Sequence, residues 1–137
     1  MRMNRKIIVV ALIIATIVIV LSVISDSTLD ESIISQIIFV DAVYDSKSNI
    51  VKITYNDNSG KTSLVTLEIL GMDETFHKEF ARNIFVETVQ INSEPQHGWA
   101  TIPVVFSINH DEFGKIELKT EIYEQGESKP RIIYSKI

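Results

Sequence analysis

The chain contains no cysteine. That one absence excludes disulfide frameworks, cysteine nucleophiles, thiolate zinc sites and the thiolate ligand of a blue-copper centre. Glycine is scarce too, five residues in 137. No Gly-x-Ser-x-Gly elbow and no glycine-rich loop is present to build an oxyanion hole. A Ser-His-Asp set can be picked from any chain this rich in serine and aspartate, so its availability alone carries no catalytic reading. His77, His97 and His110 are the only histidines, and no two stand at an H-x-H or H-x-x-x-H spacing. No Asn stands two residues before a Ser or Thr, so no N-glycosylation sequon exists. Internal repeats and low-complexity tracts are absent as well.

Basic charge is thin over most of the chain. Setting aside Arg2, Arg5 and Lys6 leaves ten of the thirteen basic residues to face all eighteen acidic ones beyond Ser25. Such a surface repels phosphate backbones and anionic headgroups, which argues against nucleic acid as a partner.

What the sequence does have begins at the N-terminus. Arg2, Arg5 and Lys6 precede the uncharged run Ile7–Ser25, "IIVVALIIATIVIVLSVIS", and Asp26 closes it. As a helix this run extends about 28 Å, close to the roughly 30 Å of a bilayer's hydrocarbon core. Its β-branched residues are poor helix formers in water, but in lipid the backbone has no partner except itself. The expectation is a transmembrane anchor over 7–25, a cytoplasmic basic flank over 1–6, a linker over 26–33 and an extracytoplasmic domain over 34–137. The orientation follows from basic residues on one flank and acidic ones on the other. A cleaved signal peptide is the alternative, with Val23-Ile24-Ser25 as the small-residue site. The apolar run exceeds the usual core of about 7–15 residues for such a peptide. A lipid anchor finds no support, since there is no cysteine to acylate and Arg2 stands where myristoylation needs glycine. Ala11, Ala15 and Ser22 share one stripe of the helix, and small residues there let a partner helix approach closely.

After "DSTLDES" the chain falls into short alternating apolar runs separated by turn residues, the pattern of a sandwich. Strands are expected over 35–44, 50–56, 62–70, 75–81, 84–91, 99–108, 115–124 and 130–135. Val51, Ile53 and Tyr55 fall on one face of the second, and Val65, Leu67 and Ile69 on one face of the third. Two segments admit a helix. Thr28-Leu29-Asp30-Glu31 fits a capping box ahead of "SIISQIIF", and Phe76, Phe80 and Ile84 recur every four residues. Pro103 would cost a ladder hydrogen bond, so its strand is expected at an edge or with a bulge. The predicted fold is a mainly β, immunoglobulin-like or fibronectin-like antiparallel sandwich of about seven or eight strands, preceded by one transmembrane helix.

"TYNDNSGKTSLV", residues 54–65, imitates two ion or phosphate sites. A phosphate loop needs glycine where Tyr55 stands, and a helix where "SLVTLEIL" reads as strand, so no nucleotide is expected. An EF-type calcium loop fails at the same Tyr55 and at Thr66, where Glu is required. Asn56 to Gly60 tolerate left-handed backbone angles, and the stretch reads as a hairpin turn. Trp99, the only tryptophan, follows Gly98 and is either an exposed interface anchor or a plug at one end of the core. Asp111 and Glu112, ahead of Gly114, form an acidic loop able to meet a basic partner.

A membrane anchor carrying an outward sandwich resembles archaeal and bacterial envelope accessory proteins, including stator-type subunits of the archaellum. The resemblance is one of architecture and carries no site residues with it. The expected function is that of a non-catalytic accessory or interaction subunit of a larger membrane or cell-envelope assembly. Its partners are the lipid bilayer and other membrane or envelope proteins, and no cofactor is expected. A secreted binding or adhesion domain, and a small metalloprotein using His77, His97 and His110, are the alternatives.

Overall fold

A computed structural model describes the backbone of residues 4–25 and 29–137, and the side chains of the same residues except 18–25. The chain divides into two compact units, Met1–Asp30 and Glu31–Ile137.

The first unit is helix α1, Arg5–Ser25. Its described side chains, through Ile17, are all exposed, Ala11 and Ala15 among them, and Ser22 lies outside the described side chains. Thr16 returns its hydroxyl to the Leu12 carbonyl at 2.8 Å, so the helix leaves that polar group satisfied. Among the described residues no helix is long and apolar enough to cross a membrane. The second half of the expected span, 18–25, falls outside the described side chains, and the expectation of an anchor over 7–25 gains no support from the structure.

The second unit is mainly β. It opens with a short helix α2 (Glu31–Ile37), which carries Glu31 in its first turn and buries Ile34. The strands are β1 (Ile38–Asp45), β2 (Ile50–Asp57), β3 (Thr62–Ile69), β4 (Phe76–Phe80), β5 (Ile84–Gln90), β6 (Pro103–His110), β7 (Gly114–Glu121), β8 (Tyr123–Glu124) and β9 (Ile133–Lys136). They form a four-stranded sheet in the order β5-β2-β1-β8 and a five-stranded sheet in the order β4-β3-β6-β7-β9.

Alternation decides what fills the space between the sheets. Ile38, Val40, Ala42 and Tyr44 of β1 and Val51, Ile53 and Tyr55 of β2 face inward. Val65, Leu67 and Ile69 of β3, Phe106 and Ile108 of β6, and Ile116 and Leu118 of β7 meet them from the other sheet, and all of these are buried. At the side of the sandwich where β4 and β5 are the edge strands, Phe80 stacks on Phe85 with ring centroids 3.8 Å apart, and Lys78 pairs with Glu87 at 2.9 Å.

Several expectations are corrected. Residues 35–37 belong to α2 rather than to the first strand, because Ile34 is already packed and Ser35 returns a hydrogen bond to the Ser32 carbonyl at 3.0 Å. The strands expected over 75–81 and 84–91, by contrast, are present as β4 and β5, with no helix between them. Trp99–Thr101 is a 3-10 turn, and β6 begins only at Pro103. Far from an edge, β6 lies between β3 and β7. Proline is tolerated there because it is the first residue of its strand, and its carbonyl still accepts from Leu70 N at 3.0 Å. The sandwich is not wholly antiparallel: after Ile122 the chain crosses to the other sheet, where β8 runs parallel to β1. Most consequentially, the 57–62 segment is no hairpin, since β2 and β3 lie in different sheets. Both sides of β2 are already paired, with β1 and with β5.

Candidate functional site

The sheet-crossing segment is built around one carboxylate. Asp57 ends the inward row of β2 by alternation, whereas Thr62, out of step with Val65, Leu67 and Ile69, is turned into the core by the bulge of β3 between Thr62 and Leu64. Asp57 Oδ1 accepts from the Ser59 hydroxyl at 2.6 Å and Ser59 N at 2.8 Å. Oδ2 accepts from the Thr62 hydroxyl at 2.6 Å and Lys61 N at 3.2 Å. Because Thr62 spends its proton on Asp57, the Tyr55 hydroxyl, 2.7 Å from Thr62 Oγ1, donates to it. Asn83 closes the segment, its side-chain oxygen accepting from Thr62 N at 2.9 Å and its carbonyl from Asp57 N at 2.8 Å.

His110, at the end of β6, completes the cluster. Its Nδ1 accepts from Glu112 N at 3.1 Å and Phe113 N at 3.2 Å, which leaves the proton on Nε2. Nε2 faces Ser59 Oγ at 3.2 Å and Asp57 Oδ2 at 3.3 Å. Burial works against the Asp57 charge, but the Ser59 and Thr62 hydroxyls, the Ser59 N–H and His110 outweigh it and hold the carboxyl below its usual range. Burial pushes the Tyr55 hydroxyl well up.

Serine, histidine and aspartate thus meet, but not as a hydrolytic triad. In a triad the carboxylate and the serine occupy opposite ring nitrogens. Here both sit at Nε2, the backbone occupies Nδ1, and the Ser59 proton is committed to Asp57. The side chains of Asp57 and His110 have no exposed surface, so no substrate reaches them. The cluster fastens one sheet to the other.

The histidines do not converge. His77 stands opposite Glu68 and His110 opposite Thr62 on the same strand, a separation of about 20 Å at roughly 3.3 Å per residue. His77 instead pairs with Glu68 at 3.3 Å, and His97 lies in the loop between β5 and β6. One ion cannot be held by all three. Among the described residues no group of three or more His, Asp or Glu is placed to hold a metal.

The interface candidates separate as well. Asp111 and Glu112 form the tight turn between β6 and β7, at the end of the sandwich where α2 enters, and Glu112 pairs with Lys61 at 3.0 Å. Trp99 lies at the opposite end, past the far terminus of β6. It is 8% exposed, and its ring packs on Tyr44 with centroids 4.5 Å apart.

Around Trp99 the loops 70–75 and 91–102 enclose an open cleft of about 780 Å³. Gly71, at φ 82°, lets the two loops meet, for a Cβ there would stand 3.2 Å from the Thr101 carbonyl oxygen. Val89, Ile91, Trp99 and Ile102 contribute apolar surface, while Asp73, Glu74 and Glu94 supply carboxylates. Among the described residues no lysine or arginine lines the cleft, and His97 is its one basic side chain. Glu94 accepts from the Tyr44 hydroxyl at 3.1 Å, and burial followed by that bond raises the Tyr44 hydroxyl above its ordinary value. A second recess of about 620 Å³ on the outer face of the four-stranded sheet mixes Lys52 with Asp41, Asp45 and Glu127.

The cleft carboxylates were not singled out by sequence, because Asp73-Glu74 and Glu94-Pro95 read as ordinary polar loops. Asp57 had a signal, an aspartate in register with the inward residues Val51, Ile53 and Tyr55. Compared with protein-family models, with curated proteins and with solved structures, the chain finds no match in any of the three.

Proposed function

We propose that the protein is a single-pass, membrane-anchored, extracytoplasmic β-sandwich that acts by binding, as a non-catalytic accessory or interaction subunit of a larger membrane or cell-envelope assembly. The anchor half of this reading is supported by the charge-free run Ile7–Ser25 behind Arg2, Arg5 and Lys6. The observation that carries the binding half is a division between two regions. The titratable pair Asp57 and His110, bridged by the Ser59 hydroxyl, is satisfied and closed off, whereas a loop-built cleft lies open at the other end of the sandwich.

An immunoglobulin-like or fibronectin-like assignment is supported by strand order. Numbered A to G, β1, β2 and β5 take the places of A, B and E, while β3, β6 and β7 take those of C, F and G. In that family of sandwiches the loops at the ends of the sheets are where recognition resides.

Purification of the native protein in mild detergent, followed by identification of what co-migrates, tests the reading. A stable stoichiometric partner is the expected result, and a protein that runs alone as a monomer overturns it. Intact mass of the mature chain separates anchor from secretion: a chain beginning at Asp26 shows a cleaved signal peptide and a secreted domain.

A further inference from the structure

The geometry points to the cleft around Trp99 as a binding site for an extended, basic peptide segment of a partner protein, with a Lys or Arg side chain entering among Asp73, Glu74 and Glu94. This rests on the binding half of the proposed function and is independent of the anchor.

Three features of the cleft specify the ligand. Its volume of about 780 Å³ accommodates a few residues of chain, within the range of about 300–1,000 Å³ common to ligand pockets. Its permanent charge is of one sign: among the described residues the lining holds three carboxylates and, besides His97, no basic side chain. Asp73 and Glu74 are exposed, so a cation entering beside them does not first have to strip a buried group of its partners. Glu94 is held toward the ring pair by the Tyr44 hydroxyl, which leaves its second oxygen for a ligand.

The third feature selects a peptide over a small cation. The cleft is reached by two strands that are both sheet edges, β4 through Phe76 and β5 through Val89 and Gln90. An edge strand offers unpaired backbone N–H and C=O groups, and an extended segment that aligns with one gains main-chain hydrogen bonds as well as side-chain contacts. Further along the same side the Phe80–Phe85 stack and the Lys78–Glu87 pair bridge β4 and β5, so loops line the seam only beside the cleft. The aliphatic stem of a Lys or Arg lies against Val89 and Ile102 while its head meets the carboxylates, the way such side chains divide between apolar and polar surroundings.

The test pans a random decapeptide display library on the full-length chain in mild detergent. Selected sequences are then titrated as free peptides against the emission of Trp99, the single tryptophan. Enrichment of Lys and Arg and a saturable shift of Trp99 emission are expected. Asp73→Asn with Glu94→Gln weakens binding about tenfold, whereas Asp111→Asn with Glu112→Gln, an equal change of charge at the other end, alters it by less than about twofold. Since Glu94 holds Tyr44, Asp73→Asn with Glu74→Gln serves as a second cleft variant that touches no hydrogen bond of the fold, and unfolding temperatures are compared for all three. The proposal is overturned if no peptide is enriched, if enrichment ignores basic residues, or if both ends respond alike. It is equally overturned if spermine binds as tightly as the peptides, which makes the cleft a site for free cations. Loss of the anchor, read from the mature mass, leaves every one of these outcomes readable.

Discussion

Thr62 donates its hydroxyl to the Asp57 carboxylate at 2.6 Å, and the bond joins the last residue of a strand in one sheet to the first residue of a strand in the other. Two polar residues, one turned into the core by the alternation of β2 and the other by the bulge of β3, satisfy one another there, together with Tyr55, Ser59 and His110. A buried network of this kind is costly when it is incomplete.

Asp57→Ala is therefore expected to destabilise the sandwich by about 3 kcal/mol or more, because it takes the carboxylate acceptor from two hydroxyls, two backbone N–H groups and His110. Asp57→Asn keeps one acceptor oxygen and should cost less. Urea denaturation followed by circular dichroism measures both. Equal and small losses would show that water takes over the role of the carboxylate.

Acid should expose the same network. The folded Asp57 carboxyl lies below its ordinary value, held there by hydrogen bonds from Ser59 and Thr62 that outweigh the burial opposing its charge. A depressed folded value contributes stability that is complete above the unfolded value of about 3.9 and is lost as pH falls through the folded one. The urea midpoint is thus expected to decline below about pH 4, and in Asp57→Asn that decline should be shallower. Asp45, lowered chiefly by the Ser48 hydroxyl and then by Lys47 N–H, acts in the same direction and remains in the variant. An unchanged acid limb in Asp57→Asn would assign the whole effect to groups such as Asp45.

Gly71 and Gly126 both hold positive φ, 82° and 95°, but only Gly71 faces a neighbour. Gly126→Ala should cost about 1 kcal/mol from the backbone alone. Gly71→Ala should cost more, about 2 kcal/mol, since the new Cβ also meets the Thr101 carbonyl oxygen across the mouth of the cleft. Thermal unfolding of the pair reads the difference, and equal losses would mean that the two loops yield freely.

Asn56 lies on the outer face of the four-stranded sheet, between Phe39 and Ile84, with its Oδ1 buried and without a partner among the described residues. Replacing it by valine removes the unsatisfied acceptor and suits a strand, so Asn56→Val should stabilise by about 1 kcal/mol. A loss of stability would reveal a water-mediated partner for that oxygen.

In the first unit, Ala11→Leu with Ala15→Leu should reduce co-migration of membrane partners without shifting the unfolding of the sandwich, because bulk on that stripe keeps another helix away. Undiminished co-migration would leave the helix as a tether alone.

The strand positions of the second unit were largely legible in the sequence. Val51, Ile53 and Tyr55, or Val65, Leu67 and Ile69, announce a buried face because side chains on a strand point alternately to its two sides, a rule that involves no distant residue. A loop ahead of Gly114 between two strands was legible too, and the structure makes it a tight turn at Asp111–Phe113, with Gly114 at φ 73° as its left-handed residue. Which strands lie side by side was not legible. Asn58, Ser59 and Gly60 permit a chain reversal equally well whether the next strand pairs with the last or leaves for the opposite sheet. The choice fell to the second because β1 and β5 already occupy both edges of β2. The same holds for Pro103, whose position inside the sheet depends on being the first residue of β6, and for Trp99 and Glu94, which meet Tyr44 only through packing of segments far apart in the chain. Local stereochemistry set the faces and the turns, while long-range packing chose the neighbours, and the closed Asp57 cluster and the open cleft both follow from that choice of neighbours.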